Sequence, residues 1–141
     1  KAQAFFTRVS RLWRPCFDPV YLPQRDAQRI SAALANLPRI RALARAFQRV
    51  VRRNQARTTG AVRWSWIYAA HYLELLELLL PATTAYLQAA PECRAHFDRV
   101  RDFLQRRENI LHPALDVSTC LNVLQWRRNE MEEFVRGKSG Q

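Results

Sequence analysis

Apolar residues recur along this chain at spacings of three and four far more often than at spacings of two, which predicts helices and leaves little room for strands. Six helical segments can be marked. The first runs from about Gln3 to Arg14, with Phe5, Val9, Leu12 and Trp13 on one stripe. Pro15, Pro19 and Pro23 then predict an extended, irregular connection. The second runs from about Gln24 to Leu37. The third starts at Pro38, where a missing N–H costs nothing in a first turn, and ends near Arg57. The fourth spans about Val62 to Leu80, with Thr58 or Thr59 as N-cap and Pro81 as terminator, and a short turn of helix is expected at Thr83 to Ala89. The fifth runs from Pro91 to about Leu111. The sixth is capped by Asp116 and closes at Gly137, which leaves residues 138–141 as a mobile tail.

The fourth segment stands apart. Its polar residues are confined to a strip holding Arg63, Glu74 and Glu77, while Trp64, Trp66, Tyr68, Tyr72 and a series of leucines cover the rest. A helix that is apolar nearly all round must be enclosed. The expected fold is therefore all-α: one domain of five to six helices around a central apolar helix at about residues 62–80. The 141 residues suffice for one core, and no linker or internal repeat divides them. The first residue is lysine, so a piece of a longer protein is expected. The start lacks the apolar run of a signal peptide, and the most apolar stretch, Trp64 to Leu80, carries His71, Glu74 and Glu77, a poor membrane span.

Charge changes the picture. The formal net charge is +11, and 21 of the 23 basic residues are arginine. Two causes produce such a bias: a GC-rich genome, or selection for a planar fork that grips phosphate in bidentate fashion. The distribution bears on the choice. Residues 1–70 hold thirteen arginines and Lys1 against Asp18 and Asp26 alone, whereas residues 71–141 hold eight arginines and Lys138 against ten acids. Codon bias would not strip acids from one half. A half that repels itself this strongly points to an anionic partner.

The third segment concentrates that charge. Ile40, Leu43, Ala44, Phe47, Val50 and Val51 make an apolar stripe, and Arg41, Arg45, Arg49 and Arg52 fall on the opposite face, flanked by Arg39, Arg53 and Arg57. Ordinary solvated faces mix signs, yet no acid lies between Asp26 and Glu74. Such a helix suits a phosphate backbone, either RNA or DNA. Gln48, Asn54 and Gln55 are the candidates for base edges, and Arg8, Arg11 and Arg14 for an extension of the patch. The competing readings are an acidic protein partner, a phospholipid surface and a plain solvated face. A membrane-surface helix needs an exposed apolar stripe, which the core claims here.

The sixth segment carries Trp126 off its inward stripe, between Glu130 and Glu133, as an anchor for a protein partner or a second copy; a tryptophan covered by its own chain is the alternative. In the fifth, Arg107-Glu108-Asn109-Ile110-Leu111-His112 resembles the R-x(4–6)-H signature of the HEPN ribonucleases. That resemblance covers six residues and implies a helical bundle in which Arg107 and His112 line a dimer interface and cleave RNA. The family usually has Asn, Asp or His after the arginine, where this chain has Glu108. Arg107 also continues the stripe of Phe97, Val100, Leu104 and Leu111, so it is read first as a structural ion pair with Glu74, Glu77 or Glu130.

Three scattered cysteines, Cys16, Cys93 and Cys120, make no disulfide framework and point to a reducing, intracellular compartment, nuclear or bacterial cytoplasmic. Cys93 and His96 share a C-x2-H spacing, and Cys16, His112 and Cys120 are a conceivable trio, but no paired ligand motif exists, so no metal or cofactor is expected. Three glycines exclude phosphate loops and dinucleotide folds. The sequence thus reads as a nucleic-acid-binding helical module of a regulatory or replication protein, with association through its second half. A protein-interaction scaffold comes second and an Arg/His ribonuclease third.

Overall fold

The computed structural model describes residues 2–17 and 26–139 and, within those ranges, every side chain except those of 15–17, 124, 126–128, 131, 134, 135 and 137–139. The expected connection through Pro19 and Pro23 lies outside the described residues. The chain forms a bundle of helices: α1 (Ala2–Phe17), α2 (Ala27–Arg57), α3 (Gly60–Gln88), α4 (Cys93–Arg106), the single turn α5 (Glu108–Leu111) and α6 (Val117–Ser139). The described residues contain no strand. Successive helices pack on one another: α1 on α2, α2 on α3, α3 on α4, and α4 on α6. One cluster of buried side chains runs from Phe5 to Val117 and draws members from every helix. No helix of the described residues is long and apolar enough to cross a membrane.

Three prolines do not break the chain where the sequence predicts. α1 continues past Pro15 to Phe17, α2 passes through Pro38 as one 31-residue helix, and α3 passes through Pro81 to Gln88. A proline inside a helix loses one hydrogen bond and crowds the preceding turn, at a cost of about 3 kcal/mol. Pro38 is exposed and Pro81 shares a face with Glu74 and Glu77, so both rings sit on the polar side of their helix. Burial of Leu37, Ile40 and Ala44 around Pro38, and of Leu80, Ala82 and Thr83 around Pro81, outweighs the lost bonds.

The breaks that do occur have local causes. Asp26 caps α2 by accepting from the backbone N–H groups of Gln28 (2.8 Å) and Arg29 (3.4 Å). At the far end, Thr58 turns extended and its hydroxyl donates to the carbonyl of Asn54 (2.7 Å). Gly60 then takes φ +58°, the left-handed conformation that favours glycine, so the α2–α3 turn depends on one of the three glycines. Thr59 is the N-cap of α3, without a side-chain capping bond. α3 ends on Ala89, also left-handed (φ 53°), where the N–H groups of Ala89 and Ala90 close back on the carbonyls of Tyr86 (3.2 Å) and Ala85 (2.9 Å). α6 runs two residues past Gly137, so helix takes up the first half of the expected tail.

The enclosure expected for α3 is partial. Its buried residues run from Ala69 to Leu87. The first two turns project, leaving Val62 57% and Trp64 53% exposed, and Trp66, Tyr68 and Tyr72 are half-buried. Aromatic composition alone did not distinguish a covered helix from one whose first turns reach beyond its neighbours.

Candidate nucleic-acid interface

The rotation of α2 about its axis decides what its arginines can meet. Ala33, Leu37, Ile40, Ala44, Phe47 and Val51, spaced by three and four, are all buried. Phe47 locks the register: its ring stacks on Phe5 of α1 at 4.1 Å between centroids and lies 6.3 Å from Trp66 of α3. With that stripe docked, the opposite half of the helix must face solvent. Arg39, Arg41, Arg45, Arg49, Arg52, Arg53 and Arg57 are all exposed there.

Few of these cations are neutralised. Glu77 of α3 approaches Arg41 at 4.0 Å, an exposed pair that contributes little. Folding therefore brings one acid to a face that lacks them in sequence. Among the described residues Arg39 donates to the amide oxygen of Asn36 (3.5 Å) and to no acid. Among the described residues Arg45, Arg49, Arg52, Arg53 and Arg57 have no ion-pair partner, and they occupy about 18 Å of helix at 1.5 Å per residue. The second half behaves oppositely. Arg101 bridges Asp98 (3.0 Å) and Asp102 (3.1 Å), Arg107 meets Glu74 (2.9 Å), and Glu132 receives Arg94 (3.9 Å) and Arg136 (3.5 Å). Charge in that half is largely spent internally.

The candidate base readers differ in placement. Gln48 lines a cleft with Leu73, Glu74 and Phe103, on the flank of α2 that meets α3, and Gln55 is half-buried. Asn54 turns its amide back onto the carbonyl of Val50 (2.8 Å). Of the three, only Gln48 remains exposed, at the edge of the arginine face where it meets that cleft. Arg8, Arg11 and Arg14 are exposed on α1, which packs on α2 and receives the Asn36 amide on the carbonyl of Leu12 (3.3 Å).

The other candidates separate. Arg107 lies over the Phe103 ring at 4.1 Å and bonds Glu74, while His112 is exposed in the turn after α5; no contact joins the Arg107 and His112 side chains among the described residues. Arg107 is thus engaged as an ion pair, with Glu74 as its acid. The Trp126 side chain lies outside the described residues. Glu133 is exposed, but Glu130 is half-buried and accepts from the hydroxyl of buried Tyr86 (3.2 Å), so it does not stand on the outward face where the sequence placed it. Cys93 is buried and Cys120 half-buried, its thiol pushed up by burial and by nearby Asp116. The side chain of Cys16 lies outside the described residues, among which no three His, Cys, Asp or Glu side chains converge.

One feature escaped the sequence reading. A cavity of about 350 Å³ opens between α1, the first turns of α3 and the turn after α5. Its signal was present: Tyr68, His71 and Leu75 share one stripe of α3, but Tyr68 and Leu75 were read as covered and His71 was given no role there. No protein-family model, curated protein or solved structure matches the chain.

Proposed function

We propose that this chain is a helical nucleic-acid-binding module that lays the solvent face of α2 along phosphates. The reading rests on one observation: five exposed arginines of one helix, Arg45, Arg49, Arg52, Arg53 and Arg57, lack an acidic partner among the described residues, whereas Arg94, Arg101, Arg107 and Arg136 of the second half are paired. Uncompensated guanidinium groups in a row repel one another, and phosphate relieves that repulsion while accepting bidentate hydrogen bonds. With Gln55 half-buried, Asn54 bonded to its own helix and Gln48 alone exposed at the edge of the face, the contacts are chiefly to backbone phosphate, and binding is largely independent of sequence.

Arg45, Arg49, Arg52 and Arg53 changed together to Glu should abolish binding to generic single- and double-stranded oligonucleotides, with far-UV helicity intact because these side chains touch solvent. Arg41 is spared, since reversing it would set like charges beside Glu77. Retained binding in this variant would remove α2 from the interface.

The second half is the side proposed for self-association or a protein partner. Its acids and bases largely neutralise one another, so two copies can meet there without the repulsion between arginine faces. Light scattering of wild type and Trp126→Glu tests this: the account expects a dimer that the substitution splits, and a monomer in both cases would contradict it.

A further inference from the structure

The arginine face does not stop where α2 ends. The turn at Thr58 and Thr59 sends α3 back along α2, and the contacts of Arg41 with Glu77 and of Phe47 with Trp66 set the two helices antiparallel. Arg63 precedes Glu74 and Glu77 by 11 and 14 positions, close to three and four whole turns, so the three share one strip of α3. Glu77 meets Arg41, so that strip borders the arginine face. Arg63 borders the other end of it, level with Arg52 and Arg53. It is exposed and has no ion-pair partner among the described residues. Packed helices lie about 8–10 Å apart between axes, which puts Arg63 within reach of a strand held by the α2 arginines.

Trp64 follows Arg63 directly and is 53% exposed. Tyr68, one turn on, lies 6.1 Å from it between ring centroids, tilted by 35°, and supports the indole from one side. An exposed tryptophan leaves a large aromatic surface in water. A row of unpaired guanidinium groups that runs into an exposed indole combines the two parts that hold a single nucleic-acid strand: cations for the phosphates and an aromatic face for a base. In a duplex the bases are stacked on one another, whereas an unpaired base can turn its face to the indole.

We propose that the face of α2 and the first turns of α3 form one site for single-stranded nucleic acid, in which Trp64 stacks on a base and Arg63 holds a phosphate beside it. The proposal rests on the nucleic-acid reading of α2 and names the form of nucleic acid that this face prefers.

Fluorescence anisotropy tests the proposal with a labelled mixed-sequence oligonucleotide of about 12 nucleotides, as RNA and as DNA, single-stranded and annealed to its complement. Wild type should bind the single strand about tenfold tighter than the duplex, a ratio one stacked base supplies. Trp64→Ala should lose that factor on the single strand and leave duplex affinity where it was. The slope of log K against log salt should not change in this variant, because no phosphate contact is removed, whereas Arg63→Gln should lower it by about 0.7. Trp64→Phe keeps an aromatic face and should keep most of the preference. Melting should stay at the wild-type value in all three variants, since both side chains stand largely in water. Equal affinity of wild type for the two forms, or a preference that Trp64→Ala leaves intact, would overturn the proposal and leave the phosphate-binding reading standing. So would an equal loss on single strand and duplex, which would make Trp64 a wedge between paired bases. Absence of salt-dependent binding to either form would remove both.

Discussion

Asp116 holds the start of α6 through both carboxylate oxygens: one accepts the backbone N–H of Thr119 (2.9 Å) and the other its hydroxyl (2.8 Å). The Thr119 N–H, then the Thr119 hydroxyl, hold its pKa below the usual carboxylate value; desolvation opposes them, and the Ser118 N–H adds the smallest contribution. A carboxyl whose pKa is lower in the folded chain stabilises the fold above its unfolded pKa, and that contribution fades as pH falls through the folded value. Loss of the cap thus belongs to strong acid and not to the neutral range. Asp116→Asn keeps a capping side chain that does not titrate, so the variant should lose less stability than wild type on acidification, followed by denaturation at stepped pH. Identical profiles would show that the carboxylate is not the titrating cap. This cap was legible in sequence, because the rule needs only an Asp ahead of a periodic apolar run. The cap at Ala89 was not, since the left-handed residue there is an alanine, which carries no signature of that conformation.

At the scale of elements, α2 and α3 show how far pattern reaches. The stripe of Ile40, Ala44, Phe47 and Val51 and the arginines opposite it were legible, because a 3.6-residue period separates core from solvent without knowledge of the neighbours. Continuity through Pro38 and Pro81 was not, because it depends on burial on either side outweighing the lost hydrogen bonds. Nor was the pairing of Arg41 with Glu77, which lies 36 positions away in sequence and is joined to it only by the packing of α2 on α3. The same contrast sets the energetics of α3. Leu76 is 2% exposed and Trp66 only half-buried. Leu76→Ala should therefore cost about 3 kcal/mol and Trp66→Ala about half that, although tryptophan is the larger side chain. Denaturant titration of both variants checks the order. A larger loss at Trp66 would mean that the first turns of α3 are covered in solution.

Across the whole molecule, charge is divided by more than count. The second half pairs Arg94, Arg101, Arg107 and Arg136 with its own acids, and the first half holds a docked helix whose cations have almost nothing to meet. The imbalance was legible from the two acids among the first seventy residues. The withdrawal of Asn54 from that face was not, because it turns on a local bond from its amide to the carbonyl of Val50. The cavity likewise needs three segments distant in sequence to come together. The measurement that bears most directly on the account is the affinity of the wild-type chain for generic RNA and DNA oligonucleotides across a salt series. Contacts from the five unpaired arginines, at about 0.7 to 0.9 each, predict that log K falls against log salt with a slope of roughly −4, with little dependence on sequence. Absence of salt-dependent binding to any nucleic acid would contradict the account and pass the same face to an acidic protein partner.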